Sequence, residues 1–168
     1  TWNGTTYDSS GTYFYNQSPQ NIVGFTHAGY QNGSNYYISN NADSWHNADS
    51  ICNYLGGHLV TIKDSMENNY VGNMHSNPIW IGLSTTDINN NYDENNWETF
   101  WQWSNNEPVT QYDNWVSNEP ENYNGNNSVC CEQYAYIDPN YNYQWDDGVD
   151  QTLPGPYFYV LEIPDLQT

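Results

Sequence analysis

The chain has 168 residues and one basic residue, Lys63, against 20 Asp and Glu, for a net charge of −19. Such a field repels phosphate backbones and anionic membrane surfaces, which excludes nucleic acid as a partner, and no apolar run is long enough for membrane insertion. Aromatic residues make up 17% of the chain, including 8 Trp and 17 Tyr, so it reads as one folded domain with a real core rather than a disordered acidic tail.

In chain order, residues 1–33 are rich in Gly, Ser, Asn and Tyr and predict extra short strands and turns, or a linker, with a turn at Gln31-Asn32-Gly33-Ser34. "SNYYIS" (34–39) is a predicted strand. In "NNADSWHNADSICNYLGG", Trp45, Ala48, Ile51, Cys52 and Leu55 fall at helical spacing, with Asn41 or Asp43 as the cap and Gly56-Gly57 as the stop. "HLVTI" (58–62) predicts a short apolar strand. A second helix is expected from Asp64 to His75, with Met66, Tyr70 and Met74 on one face and Pro78 beyond it. "IWIGLS" (79–84) predicts a buried strand, and residues 87–96 a long polar loop. The aromatic or β-branched segments "FWQWS", "YDNW", "EQYAYI", "YQWDD" and "YFYVLEI" follow, separated by loops. Two early helices followed by many short strands give an α+β domain.

This much uncompensated acid gains from bound cations, and calcium, with its preference for oxygen ligands, is the natural one. Cys52 stands alone and Cys130-Cys131 are adjacent, which is neither a disulfide framework nor a zinc spacing; the adjacent pair is a vicinal disulfide or two thiols. The four His, at 27, 46, 58 and 75, are not spaced for metal or triad chemistry. Asn-Glu-Pro occurs twice, at 106–108 and 118–120. Pro presets φ and Asn tolerates tight backbone, so either copy is an ordinary turn unless further carboxylates converge on it.

"WHNADSICNYLGGHLVTI", "SMENNYV", "WIGL", "FWQWSNNEPVTQYDNWVSNEPEN", "EQYAYI" and "YQWDD" follow one another in the order found in C-type lectin-like domains. The chain resembles that family over roughly residues 34–164, which implies its fold for a domain spanning 34–168: two helices flanking small antiparallel sheets, with a long calcium-binding loop region. The family's two long-range disulfides are missing: Tyr134 and Leu161 stand at half-cystine positions, and Cys52 keeps its place without its partner. Cys-poor members are similar to modules of calcium-rich, RTX-type bacterial surface adhesins.

The resemblance implies a calcium site. In the family, a loop of the Glu-Pro-Asn or Gln-Pro-Asp kind, with a cis proline, places two side-chain oxygens on one calcium. A Glu in the next strand and an Asn-Asp pair after a Trp complete the shell, which carries over to Glu119, Glu121, Glu132, Asp146 and Asp147. Five side chains leave room for two hydroxyls of a sugar diol. Glu121 and Asp146 stand where the family pairs amides with carboxylates, so a sugar meets fewer donors, and Asn122 is a candidate to supply one. Tyr123 and Tyr143 are candidates to stack on a sugar face, and Trp115 is expected in the core. Glu107 lies where the family has only a connecting turn. In some members, positions matching Glu67 and Glu162 share a second calcium with a backbone carbonyl near Thr61; the alternative is two solvated surface acids. Asp87 resembles one ligand of an auxiliary calcium site, whose other positions fall on Asn91, Asn122 and Gln133.

The expected function is therefore a calcium-dependent, non-enzymatic lectin module of a secreted or cell-surface adhesin, extracellular and monomeric within a larger multidomain protein. Cell-surface glycans of the fucose or mannose type are the expected partners, fucose first. A glycosidase built on Glu119 and Glu132 is disfavoured, because carboxylates that chelate calcium stay ionised and make poor general acids. The alternative is a domain of the same fold that binds a protein or ice surface without sugar.

Overall fold

The structure, a computed structural model, describes residues 19–87, 96–109, 112–121, 132–150 and 157–165. Strands β1 (Phe25–Gln31) and β2 (Ser34–Ser39) form a hairpin whose turn places Asn32 and Gly33 at φ of 52° and 84°. Two left-handed residues at a two-residue connection match the twist of the flanking strands, which is why Asn-Gly stands there.

Helix α1 (Trp45–Tyr54) buries Trp45, Ala48 and Cys52. Its cap is Ser44, whose side chain accepts from Asn47 N, rather than Asn41 or Asp43; Asp43 instead accepts from Ser44 N and the Asn47 amide. Of the predicted 58–62 strand, only His58–Leu59 (β3) is a regular strand, against Leu161–Glu162. The next residues bond in two directions, Val60 N to Val160 O and Gly82 N to Val60 O, which ends a simple ladder.

Helix α2 (Ser65–Gly72) is shorter than the predicted 64–75. Asp64 is its cap, accepting from Met66 N and Glu67 N. It stops at Gly72 and Asn73, both weak helix formers, where the ring of Tyr143 packs so closely that a Cβ on Gly72 would lie 2.6 Å from it.

The remaining strands are β4 (Ile79–Thr85), β5 (Trp101–Trp103), β6 (Tyr134–Asp138), β7 (Gln144–Gly148) and β8 (Phe158–Pro164). The sheet order is β1-β2-β8-β4-β6-β7, with β3 on β8 and β5 on β4. Among these strands β4–β8 pair in parallel and the other pairings are antiparallel, and outside them an isolated parallel bridge joins Trp115 to Trp145. One core cluster holds Tyr37, Trp45, Cys52, Leu59, Trp80 and Leu161, with α1 laid across it. The other is dominated by tryptophans: Trp97, Trp101, Trp103, Trp115 and Trp145. Cys52 and Leu161 sit in the same cluster, so apolar packing occupies the place where the sequence resemblance implies a disulfide. Burial pushes the Cys52 thiol well above the ordinary range.

Candidate functional site

Two segments form the site because Trp145 fixes both. Trp145 N donates to Asn114 O, and Val116 N donates to Trp145 O, so the loop carrying the second Asn-Glu-Pro is bonded along β7. Trp115, 8% exposed and so in the core as expected, packs on Trp145, whose indole N–H reaches Asn68 of α2 at 2.6 Å. Asn118 turns the loop at φ 75°, and the Glu119–Pro120 peptide is cis.

Beyond Trp145 come Asp146 and Asp147. One carboxylate oxygen from each of Glu119, Asp146 and Asp147 lies within 4.8 Å of the others. Glu121 N donates to Glu119 Oε2 at 3.0 Å and to Asp147 Oδ1 at 3.4 Å. Burial first, then the hydrogen bond shared with Asp147 and the charges of Asp146, Asp147 and Glu121, push the Glu119 carboxyl up to about 8. Burial also raises Asp146, against the hydrogen bond from Tyr136 that lowers it. Asp147 is buried. Three converging hard oxygens with excess negative charge could supply part of the six to eight oxygen ligands that calcium takes.

Of the five residues expected around calcium, Glu119, Asp146 and Asp147 come together. Glu121 contributes its backbone N–H, while its exposed side chain stands outside the trio. Glu132, half-buried just before β6, also stands outside it. Asn122 and Tyr123 lie outside the described residues, as do Cys130, Cys131 and Asn91. Tyr143 is turned to α2: its ring packs on Gly72 and its hydroxyl donates to Asn73 Oδ1 at 2.8 Å, a commitment that leaves it poorly placed to stack on a sugar.

The first Asn-Glu-Pro has a different partner. Glu107 Oε2 lies 3.2 Å from Nζ of Lys63, the chain's one Lys or Arg. Glu67 and Glu162 are buried, not solvated surface acids. Glu67 accepts from Tyr36 OH (2.6 Å) and Lys63 N (2.9 Å). Glu162 accepts from Ser34 Oγ (2.8 Å) and from Thr61 N (3.3 Å), so Thr61 meets it through its N–H. Burial raises the Glu67 carboxyl, the Glu162 charge adds to this, and the Lys63 charge opposes it. Asp87 N donates to Thr85 Oγ1, and Gln133 Nε2 donates to Thr85 O. Among the described residues the trio is the only cluster of metal-type side chains of this kind.

Sequence reasoning missed Lys63 and Tyr136. The lone positive charge was a signal for the first. For the second, the signal was the alternation of Tyr136 with buried Ala135 and Ile137, which puts it on the same face as its cross-strand partner.

The order of helices and strands and this loop define a C-type lectin fold, and the chain belongs to the Lectin C-type domain family, which matches residues 41–153. A perlucin-like protein of Mytilus galloprovincialis is 32% identical over 123 residues, covering 70% of this chain and 69% of that protein. C-type lectin domain family 10 member A of Homo sapiens is 29% identical over 129 residues, 76% of this chain but only 36% of that longer protein. Both relatives are animal proteins. Among solved structures, the cow carbohydrate-recognition domain of CD23, in the presence of GlcNAc2Man3 oligosaccharide, has a TM-score of 0.65 at 21% identity, covering 88% of this chain and 98% of that one. A calcium-independent type II antifreeze protein also scores 0.65, at 20% identity, over 89% and 98%. Members of the family are carbohydrate-binding lectins without enzymatic activity, and this chain is a binding domain rather than an enzyme. No helix among the described residues is long and apolar enough to cross a membrane.

Proposed function

We propose that this chain is a calcium-dependent lectin domain that binds neutral glycans through a vicinal diol, with Glu119, Asp146 and Asp147 as the inner ligands. The observation that carries the reading is the approach of three carboxylates within 4.8 Å of one another, with Glu119 driven toward protonation. Calcium, when bound, would offer open coordination positions to two adjacent hydroxyls. The carboxylates would accept hydrogen bonds from those hydroxyls, and Glu121 N–H would hold Glu119 and Asp147 in place. Glu121 and Glu132 are proposed to complete the shell through their side chains, and Asn122 to supply a donor.

Within this reading Glu119 matches the loop type that takes mannose and fucose alike, and fucose-containing glycans are proposed as the first to test. The domain would work outside the cell, secreted or surface-bound, as an adhesive module of a larger protein, single in itself and strengthened by repetition. Kinship with RTX-type adhesin modules rests on the cysteine-poor sequence alone. For Thr61, Glu67 and Glu162 the proposal is a second calcium that must compete with the charge of Lys63. A titration giving two ions per chain supports it, and one ion leaves the buried pair to Lys63.

A glycan array read with calcium and again with chelator tests the main reading. Retention of fucosylated or mannosylated glycans that vanishes with chelator is expected; sugar binding that survives complete calcium removal overturns it. One second reading has a specific support. Asp146 and Glu121 stand where donors are usual, and the fold is like that of a calcium-independent antifreeze protein, which fits a protein- or ice-binding domain without sugar. Thermal hysteresis in chelator, with an empty glycan array, would decide for that alternative.

A further inference from the structure

The antiparallel register of β6 and β7 sets Tyr136 opposite Asp146. On β6, Ala135 and Ile137 are fully buried, so Tyr136 points to the other face; on β7, Asp146 does the same between buried Trp145 and Asp147. The Tyr136 hydroxyl donates to Asp146 Oδ2 at 2.8 Å. Its ring is held by Trp80, edge-on with centroids 5.8 Å apart, and by Tyr157 at 4.7 Å. The donor is therefore fixed in space by ring packing and is not the end of a freely rotating side chain.

Asp146 has need of such a donor. An amide at this position would bring its own N–H groups, whereas a carboxylate brings only acceptors and another negative charge beside Glu119 and Asp147. Without a partner, repulsion would swing Asp146 away from the other two. A hydrogen bond from a rigid phenol holds it there and uses one lone pair, leaving others to give.

We propose that Tyr136 is a positioning residue for the acidic cluster: its hydroxyl fixes the Asp146 carboxylate in the orientation a hard divalent cation requires. The inference rests on the calcium reading above. Tyr136 would touch neither the ion nor the sugar; it acts through Asp146, as outer-shell partners orient metal ligands elsewhere.

Calcium titrated calorimetrically into the folded wild type, Tyr136→Phe, Asp146→Asn and the double variant tests it. The Phe ring keeps the packing on Trp80 and Tyr157 and loses only the hydroxyl. Calcium affinity should fall by about tenfold or more in Tyr136→Phe. In the Asp146→Asn background the same change should cost less than about threefold, because the neutral amide carries its own donors. A purely structural role would instead lower the melting temperature in chelator and leave the affinity of the folded protein unchanged. Wild-type affinity in Tyr136→Phe, or an equal penalty in both backgrounds, overturns the inference. A wild type that gives no calcium heat at all would be a distinct outcome, removing the calcium reading and this inference with it.

Discussion

Glu119 shows how one residue's surroundings set its chemistry. Its carboxyl is pushed from 4.5 up to about 8 in the folded, cation-free chain, first by burial and then by its acidic neighbours. Between about pH 4.5 and about pH 8 the native state thus holds a proton that the unfolded chain releases. The stability this group contributes is fully present below about pH 4.5, declines as pH rises, and is gone above about pH 8. Calcium must displace that proton, so its affinity should climb over the same window and level off above it. Melting temperatures with calcium and with chelator, taken across this range, should diverge as pH rises; a constant separation would contradict the assignment. The two Asn-Glu-Pro copies should separate by mutation. Glu119→Gln should weaken retention on a glycan column, whereas Glu107→Gln should leave it unchanged. The latter variant loses only an exposed ion pair with Lys63, worth under about 1 kcal/mol in a melt. Equal loss of retention in both would refute these roles.

At the scale of elements, helix ends and strand registers decide where the side chains go. Asp64 caps α2 through two backbone N–H groups, so Asp64→Ala should cost about 1 kcal/mol in a denaturant melt. Gly72→Ala, which helix propensity alone would favour, should instead destabilise, since its Cβ would meet the Tyr143 ring at 2.6 Å. If Gly72→Ala proves stabilising, the Tyr143 ring does not pack against α2 at this point. Here the sequence was only partly legible. The spacing of Trp45, Ala48 and Cys52 gave α1 because burial follows the helical period. The end of α2 at Gly72 was not legible, because the ring that crowds it comes from the turn before β7, far along the sequence. Nor was the loss of Tyr143 to α2, which depends on the same contact.

For the whole molecule, the net charge of −19 makes cation binding a stability question. With the cation removed, Glu119, Asp146 and Asp147 face one another across 4.8 Å or less. An ion that binds only the folded state stabilises it by mass action, about 3 to 4 kcal/mol when free calcium is 100 to 1,000 times its dissociation constant. Superimposable melts in calcium and in excess chelator would rule this out. Sodium chloride at the same ionic strength is the control, since general screening acts on all the exposed acids.

The linear chain determined the class of fold, because burial periods, turn residues and ordered Trp motifs are local and survive in one dimension. "WIGL", "WQWS" and "YQWDD" each contribute a strand to one sheet, and the loop after "WQWS", the start of "EQYAYI" and "YQWDD" itself carried the candidate ligands in order. Tertiary structure decided which of the five expected acids meet. Glu119, Asp146 and Asp147 converge because Trp145 bonds the loop to β7 on both sides, while Glu107, with the same Asn-Glu-Pro setting, is drawn to Lys63. Tyr136 reaches Asp146 only through strand register, across 10 positions of sequence. Glu67 and Glu162, which composition would place in solvent, are enclosed by β2 and by the segment at Thr61 and Lys63, with donors on each carboxylate. The physical reason is that carboxylate interactions depend on distances and burial between segments far apart in sequence, which local patterns do not encode.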